Sequence, residues 1–357
     1  MRILLSGYHN PRYVTVTEYI ERALRSLGHE LIIFNDRNHI FPGRLRKMVG
    51  MLQTISVSAI NLKLVRHAER ACPDIAIITG GHRINRWALR RLAQDQIRTV
   101  LWTIDAPRTS DIMPTTAGDY RHVFCQGTEY VDILREMGVA DAHWLPMGCD
   151  PRIHRQVDVS PEERLQWGSP VAFVGSFYPC RADVLEKALR HELAIWGPGW
   201  EVLPFDSPLR ACIRNAHTPP DIWTKIYSAS NIVLSIHYHD PQNHFRVHQA
   251  SPRVFEAMAC GAFVLTDRQK DVLSLFKDGE HLVSFSDTAD LDRKIAYFLK
   301  HADERREIAA AGKREVLRNH TYEHRMRQLL SRIGAPVTPP ALAGGTASPS
   351  NAHPFAS

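Results

Sequence analysis

Arg253 and Glu256 stand three residues apart in the stretch SPRVFEAMACGAFVLTD, residues 251–267. On a helix that spacing puts both on one face, where a guanidinium can bind a diphosphate and a carboxylate can accept hydrogen bonds from ribose hydroxyls. It suits a plain ion pair equally well. Ser251 as N-cap, Pro252 at the first helical position and Gly261 past the end bound the helix. Phe263, Val264 and Leu265 then predict a buried strand. A helix feeding a parallel-type strand begins near the carboxyl ends of neighbouring strands, where open α/β sheets bind ligands, and its start is electropositive.

VAFVGSFYPCR holds a second group of candidates. A strand runs into Gly175 and Ser176, where a ligand could approach the backbone and amides could hold phosphate oxygens, with Arg181 adding charge. A plain turn explains the glycine as well. In the first half, Asp105 ends the strand TVLWTID and could act as general base on an acceptor hydroxyl or cap the turn with Pro107. His9 in SGYHN and His82 in TGGHR also end strands, and each could position a sugar hydroxyl or be a polar loop residue. His237, His239, His244 and His248 crowd around Asp240 in HYHDPQNHFRVHQ. Pro241 and the lack of an HExxH arrangement argue against a metal site, so the segment reads as a pocket-lining loop with His237 or His244 near phosphate or sugar.

The elements that carry these residues alternate. RILLSG, TVTEYIERALRSLGHE and LIIFND form a strand–helix–strand unit of the length a right-handed crossover needs. DIAIITGG, TVLWTID, HVFCQG and AHWLPMG are further strands, with INRWALRRLAQ and TEYVDILREMG as helices between them. CDPRIHRQVDVSPEERLQWGSP has linker composition, after which VAFVGSFYP, LAIWGPGW, NIVLSIHYH and the 251–267 stretch repeat the alternation and end in VSF and two late helices. Two α/β halves of doubly wound parallel sheet are expected, 1–155 and 156–333, followed by a disordered Pro-, Gly-, Ser- and Ala-rich tail at 334–357.

A chain of 357 residues is long enough for two such domains. No apolar run approaches the roughly 18 residues of a membrane span, and MRILLSGYHN reads as a first strand, too briefly apolar for a signal peptide. Six scattered cysteines without a CxxC pair favour a reducing, cytoplasmic setting. The net charge of +6 favours anionic partners. Residues 37 to 68 hold six Lys and Arg, no acid, and Leu45, Met48, Val49, Leu52 and Ile55 at helical spacing. That is a solvated basic face or a peripheral contact with an anionic membrane face or acceptor. The stretch lacks the interleaved aromatics of a nucleic-acid binder.

SPRVFEAMACGAFVLTD, with LAIWGPGW before it and LFKDGEHLVSFSD and HTYEHRMRQLL after it, resembles the donor domain of GT-B glycosyltransferases, most closely the CgeB-like branch. LWTIDAP and HWLPMGCDP resemble the matching parts of that group's first half. The resemblance implies two Rossmann-like domains facing across a cleft and sugar transfer from a nucleotide-diphosphate sugar to an acceptor, whether glycan, protein or lipid-linked, without metal or cofactor. It implies that Glu256 binds the ribose and that Ser251 and Arg253 face the diphosphate; Gly175, Ser176, Arg181, Gly197 and His237 are expected to complete the donor site. Asp105, His9 and His82 would be the catalytic candidates. Related families often carry the first acid of a Glu-x7-Glu pattern where His248 stands here. A nucleotide-sugar epimerase and a non-catalytic nucleotide-sugar or surface-binding protein are the competing readings.

Overall fold

The computed structural model describes residues 1–10, 14–103, 115–215, 218–239 and 248–336. Asp105, Asp240, His244 and nearly all of the tail lie outside the described residues.

The alternating apolar runs build two sheets of six parallel strands. The first, ordered β2-β1-β3-β4-β5-β6, comprises β1 (Arg2–Gly7), β2 (Glu30–Asn35), β3 (Ile75–Thr79), β4 (Arg98–Thr103), β5 (His122–Cys125) and β6 (Ala142–Trp144). The second, ordered β12-β11-β10-β7-β8-β9, comprises β7 (Val171–Val174), β8 (Leu193–Trp196), β9 (Ile213–Asn215), β10 (Ile232–Ser235), β11 (Val264–Asp267) and β12 (Val283–Phe285). The chain reverses its direction of travel between β1 and β3 in one sheet and between β7 and β10 in the other. At such switch points the loops splay apart and leave a crevice beyond the carboxyl ends of the strands.

The first half carries α1 (Val16–Ser26), α2 (Gly43–Met48), α3 (Gly50–Ala71), α4 (Arg86–Gln94) and α5 (Thr128–Glu136). Thr15 and Glu18 form a capping box that fixes the start of α1. The basic stretch is two helices, not one, because Val49 is extended and breaks the run. The segment read as a linker contains α6 (Pro161–Trp167), whose start is fixed by a Ser160–Glu163 capping box.

The second half carries α7 (Pro179–Leu185), α8 (Pro220–Ala229), α9 (Pro252–Ala259) and α10 (Lys270–Leu275). Three late helices follow β12, where two were expected: α11 (Thr288–Lys300), α12 (Ala302–Asn319) and α13 (Tyr322–Arg332). The last of these leaves its own sheet and packs on α1. Cys149 bridges to Thr321, and buried Arg325 donates to the Met147 carbonyl at 2.9 Å. One apolar cluster consequently runs from Ile3, Leu5 and Leu24 through Met326 and Leu330 to Phe255 and Met258, tying the halves together.

Candidate functional site

The switch point of the second sheet holds two arginines. Arg253, on the first turn of α9, donates Nε to the Val174 carbonyl at the end of β7 and lies over the Phe173 ring, 5.0 Å from its centroid. Arg181, on α7, approaches the same ring at 5.7 Å and packs on Tyr178 at 4.7 Å. It donates to the carbonyls of Ile236 (2.9 Å) and Ser176 (2.8 Å). Among the described residues no carboxylate forms an ion pair with either, and the buried Nη1 of Arg253 has no hydrogen-bond partner. Burial, then the Arg253 charge, pushes the Arg181 guanidinium down to about 9, so it stays cationic at neutral pH. Two like charges held together with no carboxylate in ion-pair contact make a site that an anion relieves.

Gly175 serves this arrangement differently from the sequence expectation. Its amide donates to the Trp196 carbonyl at 2.8 Å, and its carbonyl accepts from the Trp200 indole at 2.9 Å. That amide is therefore not available to phosphate. A Cβ on Gly175 would stand 2.3 Å from Arg253 Nη2, so the close approach that demands glycine is made by Arg253. Gly197 supports it from behind: its φ is +129°, and a Cβ there would lie 2.3 Å from the Gly175 carbonyl oxygen.

His237 is also corrected. It is buried, its Nδ1 lies 2.7 Å from Asp267 Oδ1, and its Nε2 accepts the Ser251 amide at 2.9 Å. The proton therefore sits on Nδ1, and neither nitrogen is left for phosphate or sugar. Ser251 occupies the N-cap position without a side-chain capping bond, its amide being held by His237 instead. Asp267 collects His237, His239 at 3.1 Å and Gln269 at 2.6 Å. Burial would raise this carboxyl, but those partners hold it far below the usual range. The relay from Asp267 through His237 to Ser251 fixes the start of α9, and with it Arg253. No cluster of three or more metal-ligating side chains occurs among the described residues.

Glu256 forms no ion pair with Arg253, which removes the simplest structural explanation for their spacing. Its side chain keeps 14% exposure, and burial, opposed by Arg253, pushes it up to about 7. Its Oε1 lies 3.7 Å from Nε2 of His154, a fully buried residue of the segment read as a linker. His154 Nδ1 accepts the Asp150 amide at 2.9 Å, so the proton faces Glu256, and burial pushes the imidazole down to about 3. Sequence reading missed His154, which no local pattern marks.

At the switch point of the first sheet, His9 follows β1 and His82 follows β3. His9 Nδ1 is 2.9 Å from Glu18 Oε1, and its buried Nε2 has no protein partner. Burial works to raise Glu18, but bonds from His9 and Thr15 hold its carboxyl below its ordinary range. His82 lines a cavity of about 130 Å³ with Tyr8, Asp36, Arg37, Thr79 and Arg83. Asp36 and Arg83 were missed, although Asp36 ends a strand just as the chosen residues do. The two edges face one another: Thr128, at the start of α5, bonds to Asp271 on α10, and its hydroxyl lies 3.3 Å from His248.

Residues 181–331 match the family model described as glycosyl transferase-like. Spore protein CgeB of Bacillus subtilis is 23% identical over 267 residues, covering 70% of this chain and 80% of the relative. Sucrose-phosphate synthase of Thermosynechococcus elongatus superposes with a TM-score of 0.68 at 12% identity, over 93% of this chain and 99% of that one. HepE of Anabaena, in complex with UDP and glucose, does so with a TM-score of 0.63 at 11% identity, over 94% and 99%. Matched segment, curated relative and paired parallel sheets agree: the chain has the GT-B fold, its second half is similar to the glycosyl transferase-like family, and its sequence is similar to CgeB.

Proposed function

We propose that the chain transfers a sugar from a nucleoside-diphosphate sugar to an acceptor hydroxyl. The observation that carries this reading is the Arg181–Arg253 pair, two cations around one ring at a switch point with no ion-paired carboxylate among the described residues. The diphosphate lies against these guanidiniums and the start of α9, with Ser251 and Ser176 at its rim. Glu256 takes the ribose hydroxyls, with His154 packed beside it. Gly175 and Gly197 act indirectly, by making room for Arg253. HepE, seen with UDP and glucose, supports uridine as the base to try first.

In transfer, the bond from the sugar's anomeric carbon to the diphosphate breaks and a bond from that carbon to the acceptor oxygen forms. The departing diphosphate gains negative charge, which the two arginines meet without a divalent cation. The acceptor proton goes to a base in the first half. His9 suits that role because Glu18 holds its Nδ1 and leaves Nε2 to accept. His82 lines the neighbouring cavity and positions the acceptor, and Asp105 is an alternative base. Incubation with labelled nucleotide-sugars tests this reading. Transfer or slow release of free sugar supports it, interconversion of the nucleotide-sugar favours an epimerase, and binding without turnover favours a binding protein. His9→Gln should lower turnover by about 10²- to 10⁴-fold with donor affinity kept.

The α2–α3 corner favours a peripheral location on an anionic membrane face. Helix α2 buries none of its residues, and Met48 and Met51 are 81% and 68% exposed beside Arg44 and Lys47. Among the described residues no helix is long and apolar enough to cross a membrane. Co-sedimentation with vesicles containing phosphatidylglycerol, but not with pure phosphatidylcholine, is expected, and Met48→Ser with Met51→Ser should abolish it.

A further inference from the structure

The cavity of about 130 Å³ at the first sheet's switch point has a charge pattern of its own. It is smaller than the roughly 300 Å³ at which whole small-molecule sites begin, so it receives one end of a ligand. Arg37 and Arg83 line it together with His82, and among the described residues the only carboxylate on its wall is Asp36. Asp36 is 4% exposed, its Oδ1 has no hydrogen-bond partner, and Arg37 Nε lies 3.9 Å away, beyond hydrogen-bond range. The Nε of Arg83 is likewise buried and unpartnered. Thr15, Thr17 and Thr79 add hydroxyls around the same space.

The surroundings record an excess of positive charge. His39 is pushed down to about 4 by burial and then by Arg46, Arg83 and Arg37. Burial raises Asp36 even though Arg83, Arg37, His82 and His9 all act to lower it. A buried guanidinium nitrogen and a buried carboxylate oxygen, both unpaired and both carried by residues that line one small cavity, are costly unless something bonds to them. A neutral apolar group would leave both unmet. An anionic oxygen satisfies the Arg83 nitrogen, and an adjacent hydroxyl satisfies Asp36.

We propose that this cavity is the anion-binding end of the acceptor site, and that the acceptor is a hydroxyl-bearing molecule with a phosphate or carboxylate placed near the reacting hydroxyl. The inference rests on the reading that the first half receives the acceptor. Arg83 and Arg37 hold the anion, Asp36 accepts from a neighbouring hydroxyl, and the reacting hydroxyl lies beyond them, outside this cavity. Arg37 is held in place by packing over the Tyr8 ring, 5.1 Å from its centroid. An acceptor without the anion lacks the group that fixes its orientation.

Calorimetric titration of the full chain, saturated with UDP, tests this with glucose 6-phosphate, glucuronate and glucose as probes. At least one anionic probe should bind ten-fold or more tightly than glucose, and which of the two does so distinguishes phosphate from carboxylate. Arg83→Gln should remove that preference while the rise in melting temperature caused by UDP stays at the wild-type value. Arg37→Gln, at a side chain 41% exposed, gives the same readout without risk to folding. Equal binding of glucose and both anions, no binding of any probe, or a preference that survives in both variants overturns the proposal. Failure of the donor reading looks different, since UDP then leaves the wild-type melting temperature unmoved.

Discussion

Thr128 gives both of its donors to one carboxylate: its amide lies 2.9 Å from Asp271 Oδ2 and its hydroxyl 2.7 Å from Asp271 Oδ1. This bond joins the first sheet's edge to the second's. His248 completes the junction, its carbonyl accepting the Asp271 amide at 3.0 Å. The position where related enzymes often carry an acid is thus occupied by a residue that helps fasten the halves. Burial raises Asp271, and the Thr128 bonds work against that rise.

Thr128→Val keeps the shape of the side chain and leaves one buried carboxylate oxygen unmet. It should cost about 1.5–3 kcal/mol in denaturant unfolding. Combined with Asp271→Asn the effects should be clearly non-additive, and additive effects would show that the contact does not couple the halves.

Glu256 predicts a pH signature. Its folded pKa of about 7 lies above the ordinary 4.5, so the folded protein binds more protons between those values. Stability should therefore fall as pH rises from about 4.5 to about 7 and level off above, with a slope of at most about 1.4 kcal/mol per pH unit from this group. Glu129, also pushed up to about 7 by burial, acts in the same window, so the measurement is the difference between wild type and Glu256→Gln. Nucleotide binding should move the other way. A carboxylate accepts two ribose hydroxyls better than a carboxyl does, so UDP affinity relative to Glu256→Gln should rise above pH 7.

Gly175→Ala tests the close packing under Arg253. The added methyl would sit 2.3 Å from Nη2 and must displace the guanidinium. UDP affinity should fall by about ten-fold or more, seen by calorimetry, with far-ultraviolet circular dichroism unchanged. Unchanged affinity would place the diphosphate away from Arg253.

Much of the architecture was legible because the cues are local. Apolar runs ending in Gly, Asp or Thr gave most of the strands, and Ser251, Pro252 and Gly261 bounded α9. What stayed hidden depends on contacts distant in sequence. His237 reads as a free pocket histidine until Asp267, thirty residues on, is seen to hold it. His154 lies in a Pro- and Arg-rich stretch of linker composition, yet tertiary packing buries it under Glu256. Asp36 and Arg83 come together only because β2, which Asp36 follows, and β3, which precedes Arg83, both pair with β1. The three-residue strand β9 is too short to show any periodicity. Gly175 was recognised as a place of close approach, but sequence could not say that the approaching group is Arg253.

The account stands on the two arginines at the second switch point gripping a diphosphate, and the direct measurement is thermal unfolding with and without UDP. UDP should raise the melting temperature of the wild type and of Arg37→Gln alike, and should leave Arg253→Gln nearly unmoved. A UDP-induced rise in Arg253→Gln as large as that of the wild type would contradict it.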